Sequence, residues 1–379
     1  MKSRNSAEGT IWLQGIATAT PPQGYSQDFA LRFMKELPLY GEKERKFLDR
    51  LYPSTGIDRR HTAVPDYGRD RKDYDFFSRD PSMLPEPSPA QRNDLYITAA
   101  AALAEEAARN LLRELNGDLS GVTHLVTVSC TGFSAPGFDY HLVQTLGLSP
   151  TVFRTHIGFM GCYAAFPALR LAHTICTAEP DAQVLIVDVE LCSLHFQFKP
   201  DLETIVANAI FADGAAAALV SRNQPVHPPS ARYAIRSFNS RIIADSEKEM
   251  SWRLGEVAFD MRLSAYVPRL IERDIGEIVR TTMAEVSMQR EDVRLWAIHP
   301  GGRAILDRVR ETLELTEEDL ADSTAVLREF GNMSSATIFF VLKRMLSGPR
   351  SGPVFAAAFG PGLTVESAFL EHRMAEAGA

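Results

Sequence analysis

The sequence predicts a mixed α/β protein built from two loosely duplicated halves. Three observations carry this expectation. Short continuous apolar runs of strand length open into polar, glycine-containing loops; small-residue helical segments follow those loops; and the same order recurs in the second half of the chain. A length of 379 residues is ample for two such halves around one sheet system. With 45% apolar and 23% charged residues, disorder, collagen and coiled coil are excluded as descriptions of the whole chain.

Taken in order, residues 10–20 (TIWLQGIATAT) read as an opening strand, and 28–50 carry a helical pattern of leucine, phenylalanine and charge. The stretch 65–92 is rich in Pro, Asp and Arg and almost free of aliphatics, which predicts a long surface loop. Helix resumes over 95–115, where the alanines at 99–108 suit close packing on a neighbour. HLVTVSC (124–130) is a buried strand, followed by the loop TGFSAPG and a helix to Leu148. In FRTHIGFMGCYAAFPALRLAH a short segment meets a glycine turn, and a small-residue helix starts near Cys162. VLIVDVELC (184–192) and FADGAAAALVS (211–221) are further strands. The three prolines of SRNQPVHPPSA (221–231) mark the best boundary, giving halves 1–225 and 226–379. Beyond it, LWAIHPGG (295–302) is a strand entering a glycine loop, and GNMSSATIFFVLKRML (331–346) is a helix with a small-residue opening. PVFAAAFGPGLTVESAFL (353–370) reads as two strands around Gly-Pro-Gly.

Charge and cysteine usage narrow the function classes. Forty Lys+Arg against 48 Asp+Glu leave a net charge of -8, which argues against a nucleic-acid binder while allowing a local basic patch. No run of 18 apolar residues suggests a membrane span, and MKSRNSAEGTIWLQG lacks the apolar run of a signal peptide. Cys130, Cys162, Cys176 and Cys192 form no CxxC pair and read as cytosolic thiols, not as disulfides or metal ligands. A cytoplasmic protein is expected.

Three motifs place a reactive or polar side chain beside glycines at the end of an apolar element. In Met160-Gly161-Cys162-Tyr163-Ala164-Ala165, a cysteine at a helix N-terminus would feel the positive end of the dipole, and its pKa would fall. In Ile298-His299-Pro300-Gly301-Gly302, a histidine ends a strand where α/β proteins place their sites. In Gly331-Asn332-Met333-Ser334-Ser335, a neutral amide could polarise a carbonyl without competing for a proton. Taken singly, each has a structural alternative: a buried thiol acting as a small apolar residue, a turn histidine, a helix cap. Together they offer a nucleophile with two donors, and the surroundings of Cys162 lack the local signatures of cysteine proteases.

GCYAAF, IHPGG, GNMSSAT and FGPGLT, in this order and spacing and with GIATATPP and FADGAAA, resemble the chalcone-synthase-like, or type III, polyketide synthases. The resemblance spans nearly the whole chain and implies a thiolase-like five-layered αβαβα fold and a homodimer. It makes Cys162 the acyl-carrying nucleophile, His299 and Asn332 the donors around the thioester carbonyl, and Phe211 the gatekeeper between coenzyme tunnel and cavity. Acyl-CoA and malonyl-CoA would be the substrates, with no permanently bound cofactor and no metal. Arg50 aligns with a phosphate-binding residue of the family and Lys46 lies one position from another. Ser54 replaces a family lysine, so Arg59 and Arg60 are candidates to compensate; Ala304 would touch the coenzyme through its backbone.

The expected cavity wall departs from the plant pattern. Cys130, Cys192 and His195 replace threonines, Trp252 a volume-controlling glycine, and Met261 a phenylalanine, while Ser334 is kept. These replacements, like VSCTGF and VELCSLHFQ, look bacterial and favour an aliphatic starter. The expected activity is therefore iterative decarboxylative condensation onto a fatty acyl-CoA, ending in an alkylpyrone or alkylresorcinol. Alternatives are tetrahydroxynaphthalene synthesis from malonyl-CoA alone, a ketoacyl-ACP synthase III-like enzyme, and an inactive scaffold.

Overall fold

A computed structural model describes residues 9–117, 119–222, 231–264 and 266–374. The elements run β1 (Trp12–Ala19), β2 (Gly24–Ser26), α1 (Gln27–Glu36), α2 (Glu42–Ser54), β3 (Arg59–His61), α3 (Pro89–Leu115), β4 (His124–Ser129), α4 (Phe138–Thr145), β5 (Phe153–Gly158), α5 (Ala165–Ala178), β6 (Gln183–Leu191), α6 (Leu202–Ile210) and β7 (Asp213–Ser221). They continue as β8 (Arg232–Ile242), β9 (Met250–Leu254), β10 (Phe259–Leu263), α7 (Val267–Ala284), β11 (Leu295–Ile298), α8 (Arg303–Thr312), α9 (Ala321–Phe330), α10 (Thr337–Leu346), β12 (Gly352–Gly360) and β13 (Thr364–Arg373).

The large sheet has the order β11-β12-β13-β8-β1-β7-β6-β4-β5. Its two sides repeat one pattern. On one, β1 pairs antiparallel with β7, β7 antiparallel with β6, and β6 parallel with β4. On the other, β8 pairs antiparallel with β13, β13 antiparallel with β12, and β12 parallel with β11. The pairs Trp12↔Ala234 and Leu13↔Tyr233 join β1 to β8. Helices α5 and α10 lie between the two sides: α5 packs on β4, β6 and β7 but also on β8 and β13, and α10 on β1, β7 and β11. Helix α3 covers the outer face of β1, β6 and β7, and α7 that of β8 and β13. This is the αβαβα layering expected.

Burial on both faces explains why these strands read as unbroken apolar runs. In β7, Ala216 and Ala218 face the central layer with Phe166 and Phe339, while Ala215 and Ala217 face the outer core with Leu103 and Leu111. Small side chains let the helices approach closely.

Three expectations need correction. The 28–50 helical pattern is two helices, α1 and α2, separated at 37–41 where Pro38 removes a donor. The 65–92 stretch is a loop tied inward: the Asp66 carboxylate accepts from the backbone N–H groups of Asp75, Phe76 and Phe77 (2.7, 3.0 and 2.6 Å), and Tyr67, Tyr74 and Phe77 are buried. Helix α3 begins earlier than 95, at Pro89, capped by Ser88. Of the proline-rich boundary, 223–230 lie outside the described residues.

Candidate active site

Cys162 sits in the turn between β5 and α5, where two glycine loops interlock. Gly161 has φ +81°, and a Cβ there would lie 2.5 Å from Pro361 Cδ. A Cβ on Gly360 would lie 2.6 Å from Tyr163 Cδ1 and 3.3 Å from the Cys162 amide nitrogen. Glycine is required at both contacts, so GCYAA and FGPG are one structural unit built from both halves. His299 follows β11 directly; its backbone N–H donates to Ala357 O (2.8 Å), and among the described residues neither ring nitrogen has a protein partner. Asn332 precedes α10. Its Oδ1 accepts from Ser334 N (2.9 Å) and its Nδ2 donates to Gly301 O (3.1 Å), which fixes the amide and leaves one N–H for a ligand. The three side chains, spread over the sequence, line one cavity.

Burial dominates the electrostatics. It pushes the Cys162 thiol up to about 12, against a contact with the Ser334 hydroxyl that favours the thiolate. It pushes His299 down to about 3. The lowered thiol pKa expected from a helix N-terminus is therefore corrected: α5 starts only at Ala165, and Cys162 is 5% exposed. The resting pair is a neutral thiol and a neutral imidazole.

A buried acidic pair beneath the cavity escaped the sequence reading. Glu190 accepts from Cys130 N (3.0 Å) and from Thr131 Oγ1 (3.0 Å), and Ser335 Oγ lies 2.6 Å from Glu190 and 2.8 Å from Asp188. Burial holds both carboxyls above their ordinary range, and Glu190 raises Asp188 further. The signal was present as two acids at i, i+2 inside the apolar run of β6, where one face of a buried strand carries both.

All seven expected cavity residues, Phe211, Cys130, Cys192, His195, Trp252, Met261 and Ser334, line the same cavity. Cys130 Sγ lies 3.4 Å from Ser334 Oγ. His195 makes the wall with its ring alone: Nε2 donates to Thr131 O (2.7 Å), Nδ1 accepts from Phe259 N (3.1 Å), and the ring stacks on Phe259 at 4.2 Å. Burial pushes it down to about 3, so it is neutral and has no nitrogen left for a substrate. Trp252 Nε1 donates to Cys130 O (2.7 Å), pinning the β9–β10 hairpin to the loop after β4. Met250, Phe259 and Leu263 complete this wall; they come from the region between 231 and 290, where sequence reading found no element.

The coenzyme candidates divide. Lys46, Arg50, Arg59 and Ala304 are exposed and outside the cavity lining. Lys46 pairs with Glu42 at 2.6 Å, Arg50 Nε donates to Lys46 O (3.3 Å), and Ala304 lies in the first turn of α8. Arg60 is a correction. It is 3% exposed and bound to protein acceptors, so its guanidinium is not available to a phosphate outside.

Comparison with known proteins agrees with this architecture. Residues 1–224 match the N-terminal domain of the chalcone and stilbene synthases and 234–373 their C-terminal domain. The chain is 33% identical over 360 residues to the alpha-pyrone synthesis polyketide synthase-like Pks18 of Mycobacterium tuberculosis, covering 93% of this chain and 89% of that protein. The crystal structure of PKS-I from the brown alga Ectocarpus siliculosus superposes with a TM-score of 0.91 at 31% identity, over 98% of this chain and all 100% of that one. The C-terminal type III polyketide synthase domain of Steely1 from Dictyostelium gives 0.86 at 26% identity, over 96% and 99%. The chain belongs to the chalcone and stilbene synthase family and is an acyl-transferring type III polyketide synthase. Among the described residues no helix is long and apolar enough to cross a membrane.

Proposed function

We propose that the chain extends a fatty acyl-CoA starter with malonyl-CoA and closes the product to an alkylpyrone or alkylresorcinol. The observation that carries this reading is the convergence of Cys162, His299 and Asn332 on one cavity that the apolar side chains of Met250, Met261, Leu263 and Phe259 also line. The Cys162 sulfur attacks the starter thioester while His299 takes its proton; an S-acyl bond forms and coenzyme A leaves as the thiol. Malonyl-CoA then loses carbon dioxide. The enolate oxygen is held by the N–H of His299 and the remaining N–H of Asn332, as in an oxyanion hole. The enolate carbon attacks the acyl carbonyl, and the Cys162 sulfur leaves. Two neutral donors suit a dry cavity, because the only charge to be stabilised is the one the reaction develops.

Phe211, half-buried at the end of α6, gates the cavity in this reading. Lys46, Arg50 and Arg59 meet the coenzyme phosphates, the Ala304 backbone touches the coenzyme, and the halves divide at 225/226. The product class leans on the pyrone named for Pks18. A homodimer is proposed because β5 ends the sheet with an exposed face, Phe153 being 67% exposed. The cytoplasm is the compartment where both thioesters are available.

The test is incubation with malonyl-CoA and a panel of CoA thioesters, from acetyl to long-chain acyl and coumaroyl, with products identified by mass. Long-chain alkylpyrones or alkylresorcinols are expected. Efficient product formation from malonyl-CoA alone would replace this reading with tetrahydroxynaphthalene synthesis, for which Cys130 beside Ser334 offers a second thiol. Acyl transfer only to a carrier-protein substrate would favour the ketoacyl-ACP synthase III-like reading, and absence of any acyl adduct on Cys162 an inactive scaffold.

A further inference from the structure

We propose that Arg60 is a positioning residue for the condensation site, a buried cation that holds the gate Phe211 and the donor Asn332 in register with helix α6. The inference rests on the polyketide reading of the cavity given above.

Helix α6 ends at Ile210, and the carbonyls of its last residues and of its cap have no intrahelical partners. All four find acceptor roles at one junction. Arg60 Nη1 donates to Asn208 O and to Phe211 O, each at 2.8 Å. Gln27 Nε2 donates to Ala209 O (2.7 Å), and Gln27 Oε1 accepts from Arg60 Nε (3.1 Å). The fourth carbonyl, Ile210 O, accepts from Asn332 N (2.9 Å), while Ala212 N donates to Asn332 O (2.8 Å). Gate and donor are thus paired by a backbone bridge, Phe211↔Asn332. Arg60 holds one side of it.

Its aliphatic stem holds the other. A Cβ at Gly331 would lie 2.9 Å from Arg60 Cγ and 3.1 Å from Ile210 O, and Gly331 has φ +75°. The stem therefore fills the space beside the residue that precedes Asn332. The guanidinium also lies 5.2 Å from the Tyr25 ring centroid. The residue type follows from the task. Several acceptors at the negative end of a helix dipole need one cation with donors in a fixed planar fork, which arginine provides and lysine does not. The Asn332 amide is oriented by Ser334 and Gly301, so Arg60 sets where that amide sits, not which way it points.

The test uses the full chain with Arg60→Met, which fills the stem and removes the donors, and Arg60→Lys. Acyl loading on Cys162 is followed by intact mass, malonyl-CoA decarboxylation by carbon dioxide release, and folding by thermal melting. Arg60→Met is expected to load acyl groups at near the wild-type rate and to lose about 10- to 100-fold in decarboxylation kcat, with little change in the KM for malonyl-CoA. Arg60→Lys should recover only part of that loss. A folded variant in which loading and decarboxylation fall together, or neither falls, overturns the proposal. So does a raised KM with kcat unchanged, which would return Arg60 to phosphate binding. Should Arg60→Met fail to fold, Gln27→Met removes the Ala209 tie and the acceptor of Arg60 Nε; unchanged decarboxylation in that variant is equally fatal. A wild-type chain that neither loads acyl groups nor decarboxylates malonyl-CoA would instead overturn the polyketide reading itself.

Discussion

The two ends of the cavity are built on opposite principles. At the reactive end, Cys162, His299 and Asn332 are 5%, 1% and 2% exposed and sit on loops from both halves, locked by glycine contacts and backbone hydrogen bonds. At the proposed coenzyme mouth, Lys46 and Arg50 stand on the solvent side of α2, and Lys46 already faces Glu42. The first end obtains its effect from fixed geometry in a low-dielectric space, where one misplaced donor matters greatly. The second, as proposed, relies on several solvent-exposed charges, none of them indispensable. The difference sets the order of effects expected from substitution.

Removing the nucleophile should have the largest effect. Cys162→Ala is expected to reduce condensation to the detection limit with the melting temperature nearly unchanged, since a buried sulfur is lost from a turn held by backbone and glycine contacts. Intact mass after incubation with an acyl-CoA should show no adduct; product from this variant would remove Cys162 from its role. Next comes Asn332→Ala, which should lower malonyl-CoA decarboxylation by about 100- to 1000-fold while acyl loading continues. Loading blocked with decarboxylation intact would make Asn332 a structural cap.

This contrast also explains what was legible in the sequence. Cys162, His299 and Asn332 could be found because close packing demands glycine and alanine around them, and such motifs survive as spelling. β1, β4, β6, β7 and β11 to β13 were visible because burial on both faces writes nearly unbroken apolar runs. β8 to β10 and α7 were not: Arg232–Ile242 alternates only partly and Met250–Leu254 is polar at two of five positions, as suits a hairpin with one wet face. Arg60 was misread for a related reason. Within GIDRRH nothing distinguishes an arginine that turns inward to two backbone carbonyls from Arg59 beside it, because those acceptors come from the end of α6, some 150 residues later.

The pH dependence of Cys162 sharpens the same comparison. Burial, partly offset by the Ser334 hydroxyl, pushes its thiol up to about 12, so without a base its reactivity toward iodoacetamide should rise about tenfold per pH unit across the neutral and alkaline range. In the proposed mechanism His299, held neutral by burial at about 3, is the group that takes the proton. His299→Ala should therefore slow alkylation at neutral pH and leave it rising steeply toward alkaline pH. A profile identical to wild type would show that the imidazole does not assist the thiol. Trp252→Ala should act more mildly, on product identity: it opens the wall and frees Cys130 O, so longer starters should be accepted, as read from product masses across the acyl-CoA panel. An unchanged product range would place the chain-length limit elsewhere in the wall.

The smallest effects belong to the mouth, and their smallness is the prediction. Lys46→Ala or Arg50→Ala removes one exposed charge, and on the proposed reading the other cations of the mouth remain to meet the phosphates. An exposed ion pair is worth little, so KM for a CoA thioester should rise about two- to fivefold with kcat unchanged. Lys46 must also leave Glu42 to reach a phosphate, which lowers its net contribution, so Glu42→Gln should reduce KM slightly by freeing it. Both shifts should shrink as ionic strength rises, because the charges lie in solvent and are screened within about 10 Å at 0.1 M salt. Steady-state kinetics at 20 and 300 mM salt with acyl-CoA, and with the matching N-acetylcysteamine thioester that lacks the phosphates, separates the possibilities. If the mouth binds phosphate, the substitutions alter KM for the coenzyme thioester alone and only at low salt. Equal effects on both thioesters would mean that α2 acts on the fold and not on the coenzyme.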